Sequence, residues 1–298
     1  MRKQALKNDP TKIDCIIYHA KCRDGFGAAW SAWKLLGNKA EYIPASHGDT
    51  PPDVTGKNVA ILDFSYKNEV IKKMTKQAKS LIVIDHHKSA MLDLHDIPNA
   101  YFDMNHSGAM LAWYFFHPEK EAPRLISYIE DRDLWKWELP NSKEFSAALD
   151  MIPFDFDAFC QLEDDSIFDD TCDRGSHILA YSNIAVKKIS RQATMRVWEG
   201  KRVYVVNSSR WMSEIGNYLS PECDFVVIWY FDHDRQEYRA SLRSLYEHID
   251  CSEIAKRFGG GGHKKAAGFA LSKKIHIDDI FASDLATVSH PTPDKGEF

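Results

Sequence analysis

The sequence predicts an α/β chain of two domains: an N-terminal domain on a parallel sheet, then a smaller α/β domain. Three observations predict it. Strand-like and helix-like segments alternate through the first third, which argues for βαβ units. The middle of the chain reads as mostly helical. After about residue 200, β-rich segments separated by turn-forming residues take over. A chain of 298 residues suffices for two domains and a substantial core.

Taken in order, "CIIYH" (15 to 19) reads as a short buried strand. "GFGAAWSAWKLLG" follows with apolar residues at helical spacing and a glycine stop. "AEYIPA" is a second strand and "NVAILDF" (58 to 64) a third. "KNEVIKKMTKQAKS" is helical and "LIVID" is a fourth strand. From "HSGAMLAWYFF" to "APRLISYIEDRDLW" the pattern is helical, with Ser107 as an N-cap and Pro123 in the first turn of the second helix. "EDDSIFDD" (163 to 170) reads as an exposed loop, because charge runs are usually solvated. A long helix is expected over 174 to 198, then strands at "KRVYVVN", "CDFVVIWYF" and "EYRASLRS". The expected division is 1–173, a helical linker over 174–199, and 200–298. The tail after about residue 284 reads as polar and mobile.

Hydrophobic residues at 44% and charged residues at 27% are those of a soluble globular protein. The net charge of −5 provides no global field for long duplex nucleic acid, but leaves room for a local cationic pocket that takes a small anion. Six scattered cysteines without a CxxC pair suit a reducing compartment, and the basic N-terminus has no apolar run behind it. No apolar run reaches membrane-spanning length, so the expected location is cytoplasmic, with no membrane partner. A homodimer is left open.

The chemistry-bearing residues gather at strand ends. "CIIYH" ends on His19 and leads to Asp24, "VAILD" ends on Asp63, and "LIVIDHH" ends on Asp85, His86 and His87. In an open parallel sheet, functional groups sit outside the carboxyl ends of the strands. Carboxylates brought together there need a proton or a cation between them. Histidine and aspartate without paired thiolates suit Mn²⁺, Fe²⁺, Mg²⁺ or Zn²⁺. Asp131, at the end of an apolar helical stretch, is the first choice for a further carboxylate and Asp133 the second. Each piece alone has an ordinary reading. Asp-Gly is often a turn, Asp63 can cap a helix, and a lone histidine is often a satisfied surface residue.

"FGGGGHKKAAGFAL" (258 to 271) is the second cluster. Four glycines, Gly259 to Gly262, let backbone N–H groups approach an anion, and His263, Lys264 and Lys265 add donors and charge. Upstream, Arg239 and Arg243 fall at period two with Ser241 between them, so both can project from one strand face as a phosphate clamp or as a solvated face. Trp135 and Trp211 are candidates for stacking bases, against the commoner role of aromatics in cores.

Together these motifs resemble the DHH family of phosphoesterases with a DHH-associated C-terminal domain ending in a GGGH-type loop. Asp85-His86-His87 is the triplet; "HAKCRDGFGAA", "LDFS", "IEDRD" and "GGGGHKKAAGF" match the other motifs in order along nearly the whole chain. The resemblance implies two domains facing across a cleft. It implies two divalent cations, typically Mn²⁺, held by His19, Asp24, Asp63, His86 and Asp131, with Asp63 bridging. Asp85 and His87 would orient ligands or contact phosphate. Arg239, Arg243, Gly260, Gly261, Gly262, His263 and Lys264 would bind substrate. The implied activity is hydrolysis of phosphodiester or phosphomonoester bonds in short oligonucleotides or small nucleotides: nanoRNA, linear or cyclic dinucleotides, pAp. Two cations about 3.5–4 Å apart would generate hydroxide for in-line attack. One departure stands out: Cys22 replaces the first aspartate of the usual Asp-x-Asp pair. A thiolate ligand would favour Zn²⁺ or Fe²⁺ over Mn²⁺, and a non-ligand would weaken one metal site. The competing readings are a nucleotide-binding regulator that has lost catalysis and an inorganic pyrophosphatase.

Overall fold

A computed structural model describes residues 8–281 and divides the chain into two compact units, 1–179 and 180–298. The expected mobile tail after residue 284 lies outside the described residues.

The first unit is built on five parallel strands: β1 (Cys15–His19), β2 (Glu41–Ala45), β3 (Asn58–Leu62), β4 (Ser80–Asp85) and β5 (Ala100–Phe102), in the order β2-β1-β3-β4-β5. The three-residue β5 carries no separate signal in the sequence. Its helices are α1 (Arg23–Leu36), α2 (Asn68–Gln77), α3 (Lys88–Asp93), α4 (Gly108–Phe116), α5 (Arg124–Asp133), α6 (Ser142–Leu149) and α7 (Phe156–Gln161), followed by α8 (Asp165–Ser190), which runs on into the second unit.

Alternation along the strands distributes the core between two faces. Ile16, Ala60, Leu62, Ile82 and Ile84 pack with Ala28, Ala32 and Leu36 of α1 and with Leu111 and Phe115 of α4. Their neighbours Ile17, Val59, Ile61, Leu81 and Val83 pack on the other side with Ile71 and Met74 of α2. A helical layer beyond α1 buries Phe26, Trp30, Trp113, Ile126, Ile129, Phe145, Phe159 and Phe168. Ser107 caps α4 as expected, its hydroxyl accepting from Met110 N–H at 3.3 Å. Pro123, expected inside the first turn of α5, instead occupies the N-cap position, where an extended backbone suits a residue with no N–H to offer.

The second unit carries a mixed sheet. Its strands are β6 (Thr194–Trp198), β7 (Lys201–Asn207), β8 (Phe225–Asp232), β9 (Glu237–Arg243), β10 (Gly261–Gly262) and β11 (Ala266–Ser272), in the order β10-β11-β9-β8-β7-β6. Among the described residues of this sheet, only β7 and β8 pair in parallel. Helix α9 (Met212–Leu219) shares a small apolar cluster with β8 through Ile215, Leu219, Val226 and Ile228. Helix α10 (Cys251–Lys256) contributes Ile254 and Ala255 to the larger core on the strand residues that alternate with these, among them Phe225, Val227, Ala240, Leu242 and Phe269.

Two expectations about the middle of the chain are corrected. Residues 163 to 170 are not an exposed loop: Asp164 accepts hydrogen bonds from Ser166 and Ile167 N–H, and α8 starts at Asp165. Phe168 supplies the apolar anchor, fully buried and stacked on Phe145 with centroids 4.1 Å apart. The long helix ends at Ser190 rather than 198, because Thr194–Trp198 pairs back on β7. Glu199 and Gly200, both at positive φ, form the two-residue turn between them. Phe168→Ala should destabilise the protein by about 3–5 kcal/mol, measured by urea unfolding. A change below about 0.5 kcal/mol, the range of surface substitutions, would contradict this placement of the start of α8.

Candidate metal centre

The strand order β2-β1-β3 makes the carboxyl ends of β1 and β3 a topological switch point, the customary ligand position in such sheets. His19 closes β1, and Asp63 follows β3. Asp63 adopts φ 52°, a left-handed conformation that aspartate tolerates better than most residues, and its N–H donates to Ile84 O at 3.0 Å. Helix α1 begins four residues after His19, at Arg23. A Cβ on Gly25 would lie 2.3 Å from His19 O, so only glycine lets the helix start this close to the strand. That brings Asp24 inward, where it is 2% exposed.

Asp24 meets the N-terminus of α4. Gly108 N–H donates to Oδ2 at 2.6 Å and Ala109 N–H to Oδ1 at 2.9 Å, the placement a helix N-terminus favours for a carboxylate. Gly108 also touches Asp63; a Cβ there would lie 2.4 Å from the Asp63 Cβ. The two glycines thus permit the close approach of the two carboxylates.

The triplet divides its roles. Asp85 Oδ1 accepts from His86 and His87 N–H at 2.8 and 3.3 Å and lies 2.7 Å from His87 Nδ1. It turns the chain after β4 and orients the His87 ring. His86 Nε2 faces carboxylates on three sides: Asp63 Oδ1 at 3.2 Å, Asp133 Oδ2 at 3.5 Å and Asp24 Oδ2 at 3.6 Å. The other oxygen of Asp63, Oδ2, lies 3.4 Å from His19 Nδ1 and 3.7 Å from Cys22 Sγ. Donor atoms of His19, Cys22 and Asp63 therefore form one compact set, those of Asp24, His86 and Asp133 a second, and those of Asp63, Asp85, His86 and His87 a third, each within 4.8 Å.

The electrostatics are those of too much negative charge in too little water. Burial, with the nearby Asp63 and Asp133 charges, pushes Asp24 well above the usual carboxylate range. Burial and the same kind of repulsion raise the Cys22 thiol well above its ordinary value. Asp63 is held well below its ordinary value because the His19 and His86 imidazoles outweigh its burial. His86 is raised well above the histidine range, since Asp133 and Asp63 overcome its desolvation. Among the described residues no hydrogen bond satisfies the buried Asp63 Oδ1, approached by the His86 ring nitrogen at 3.2 Å, or Asp85 Oδ2. Orphaned carboxylate oxygens, crowded acids and imidazoles in one buried space fit a divalent cation better than a proton. Oxygen and nitrogen donors suit Mn²⁺, Fe²⁺, Mg²⁺ or Zn²⁺, and a soft thiol stands beside one set.

Of the ligands the resemblance implied, the structure brings together His19, Asp24, Asp63 and His86, and places Asp131 elsewhere. Asp131 is buried, but its carboxylate accepts from Glu138 N–H at 2.9 Å and faces Leu139 N–H at 3.5 Å. Asp133, the second choice, supplies the carboxylate near His86. Residues two apart on a helix point in nearly opposite directions, so only one of the pair can face the cluster. His47 went unnoticed in the sequence; its ring lies 5.8 Å from that of His19, and burial, followed by the neighbouring imidazoles, lowers it to about 4.

In the second unit, Arg239 and Arg243 do project from one face of β9, but each has local contacts. Arg239 Nε lies 3.7 Å from Glu237, and Arg243 donates to Ser213 Oγ at 2.9 Å and to Leu242 O at 2.8 Å. Lys264 lies 3.0 Å and Lys265 2.7 Å from the same Glu247. Two N–H groups of the glycine run expected to face an anion are used otherwise: Gly259 donates to Lys256 O and Gly260 to Ala255 O. The run follows the C-terminus of α10, where terminal carbonyls need donors. Gly261 and Gly262 pair with β11, and a Cβ on Gly260 would collide with Gly268 O at 2.1 Å. His263 closes the turn with its N–H on Ala266 O at 2.8 Å.

Comparison with known proteins adds four findings. Residues 205–286 match the DHHA1 domain. An uncharacterised protein of Acanthamoeba polyphaga mimivirus is 32% identical over 286 residues, covering 88% of this chain and 68% of that one. Oligoribonuclease NrnB of Bacillus subtilis is 25% identical over 241 residues, covering 71% of this chain and 57% of its own. Among solved structures, an exopolyphosphatase-related protein from Bacteroides fragilis shares the fold with a TM-score of 0.54 at 14% identity, covering 87% of this chain and 86% of that one.

The geometry separates two neighbouring aspartates. Asp133→Asn should weaken Mn²⁺ binding, followed by titration calorimetry, at least about 10-fold, while Asp131→Asn should change it much less. A larger loss in Asp131→Asn would return the ligand role to that residue.

Proposed function

The chain belongs to the DHH family of phosphoesterases with a DHHA1 domain, and on that premise we propose that it is a metal-dependent hydrolase of short oligonucleotides or small nucleotides. The observation that carries this reading is the pair of donor sets that meet on Asp63, one through each carboxylate oxygen. We assign His19 and Asp63, with Cys22 adjacent, to one divalent cation, and Asp24, His86 and Asp133 to the other, Asp63 serving both.

When bound, the cations supply an activated water at neutral pH and neutralise charge on the phosphate. The residues of the chain do the rest. Gly108 and Ala109 N–H fix Asp24, Asp85 fixes His87, and the buried walls keep these groups in place without reorganisation when charge develops. In the second unit we assign the hold on the substrate to Arg243, the end of the glycine run and His263. Short substrates suit the net charge of −5, because long strands gain affinity from many cationic contacts. The name of the Bacillus relative, an oligoribonuclease, points the same way.

The test is hydrolysis of a labelled RNA dinucleotide after chelation and after Mn²⁺ is restored. Turnover should vanish and return; its absence from protein shown to contain metal would overturn the hydrolase reading in favour of a nucleotide-binding role. Asp63→Ala should reduce kcat to background. His263→Ala should mainly raise KM while metal content stays constant, and loss of metal in that variant would misplace the residue.

A further inference from the structure

The stretch after Asp133 has features that neither the metal centre nor the core accounts for. Trp135 and Trp137 hold φ values of 56° and 57°, and Asn141 follows at 55°. Left-handed backbone is uncommon for bulky side chains and persists only where the surroundings impose it. Here they do. The buried Asp131 carboxylate takes Glu138 N–H, Trp135 N–H donates to Arg132 O at 2.9 Å, Lys136 N–H donates to Asp131 O at 2.9 Å, and Tyr128 Oη donates to Pro140 O at 2.8 Å. The conformation thus fixed presents two indoles edge to face, centroids 4.9 Å apart. Both are only half-buried, and neither belongs to the aromatic core beneath, so packing does not explain them.

Position supplies the reason. Trp135 lies two residues beyond Asp133, whose carboxylate faces His86, so its backbone stands within about 7 Å of a member of the donor set. We infer that this loop is a stacking platform for a nucleobase: Trp135 takes the base next to the cleaved phosphate, and Trp137 buttresses it. Asp131 is then a positioning residue, holding the platform rather than a metal. The inference rests on the hydrolase reading and narrows it to substrates carrying a base, excluding pyrophosphate and polyphosphate as preferred substrates.

The test compares binding of AMP and ribose 5-phosphate to the metal-loaded protein by calorimetry, alongside turnover of an RNA dinucleotide and of its analogue lacking one base. The wild type should bind AMP more tightly and prefer the complete dinucleotide. Trp135→Ala should erase both preferences, with KM for the dinucleotide rising roughly 5- to 150-fold, the range for one base on one aromatic. Trp135→Phe should keep most of each preference, which shows that the ring acts as a surface and guards against misfolding in the alanine variant. Equal binding of AMP and ribose 5-phosphate by the wild type overturns the platform even where turnover is found. A retained AMP preference without turnover supports the platform and overturns only the hydrolase reading.

Discussion

The first unit depends on one constraint: carboxylates cannot share a buried space unless something positive lies between them. Asp24, Asp63 and Asp85 are each at most 2% exposed, and Asp133 points its carboxylate at the same imidazole as two of them. Backbone amides relieve part of the repulsion, two from α4 on Asp24 and two from the triplet on Asp85. His19 and His86 relieve more. The oxygens left over on Asp63 and Asp85 mark where the protein's own groups stop and a cation would begin.

The parallel sheet makes this crowding possible. Apolar on both faces, it needs helices above and below, and each crossover returns the chain to the same edge of the sheet. Every strand from β1 to β4 therefore delivers its last residue to one rim, and the reversal of order at β1 opens a gap between the loops that follow β1 and β3. Gly25 and Gly108 then set how closely the helices approach that rim. Replacing these hydrogens by methyl groups would press on the Asp63 side chain and on the His19 backbone without changing a single ligating residue.

Much of this was legible in the sequence, because the signals were strong and local. Apolar runs of strand length ending abruptly on Asp or His announced the sheet, its rim and the crowding of His19, Asp63 and His86 there. What failed to show depended on direction or on distant partners. Two aspartates in "EDRD" look equivalent in one dimension, and only the rotation of α5 distinguishes Asp133 from Asp131. "EDDSIFDD" reads as solvated until Phe168 finds Phe145, and "TMRVW" reads as helix until β7 lies beside it. The glycine run kept its place as a close-approach segment, but its position after a helix C-terminus rather than before an N-terminus changed which atoms its amides meet.

The separation of the donors along the chain has a consequence for biosynthesis. His19, Asp24, Asp63, His86 and Asp133 come from four stretches of chain, and only 19–24 holds two of them. A nascent chain therefore carries only part of the donor set in any one stretch while it is being made. The complete set of donors exists only after β1, α1, β3, β4 and α5 have docked, so the choice of ion falls to a finished cavity and to whatever ions the surroundings supply then.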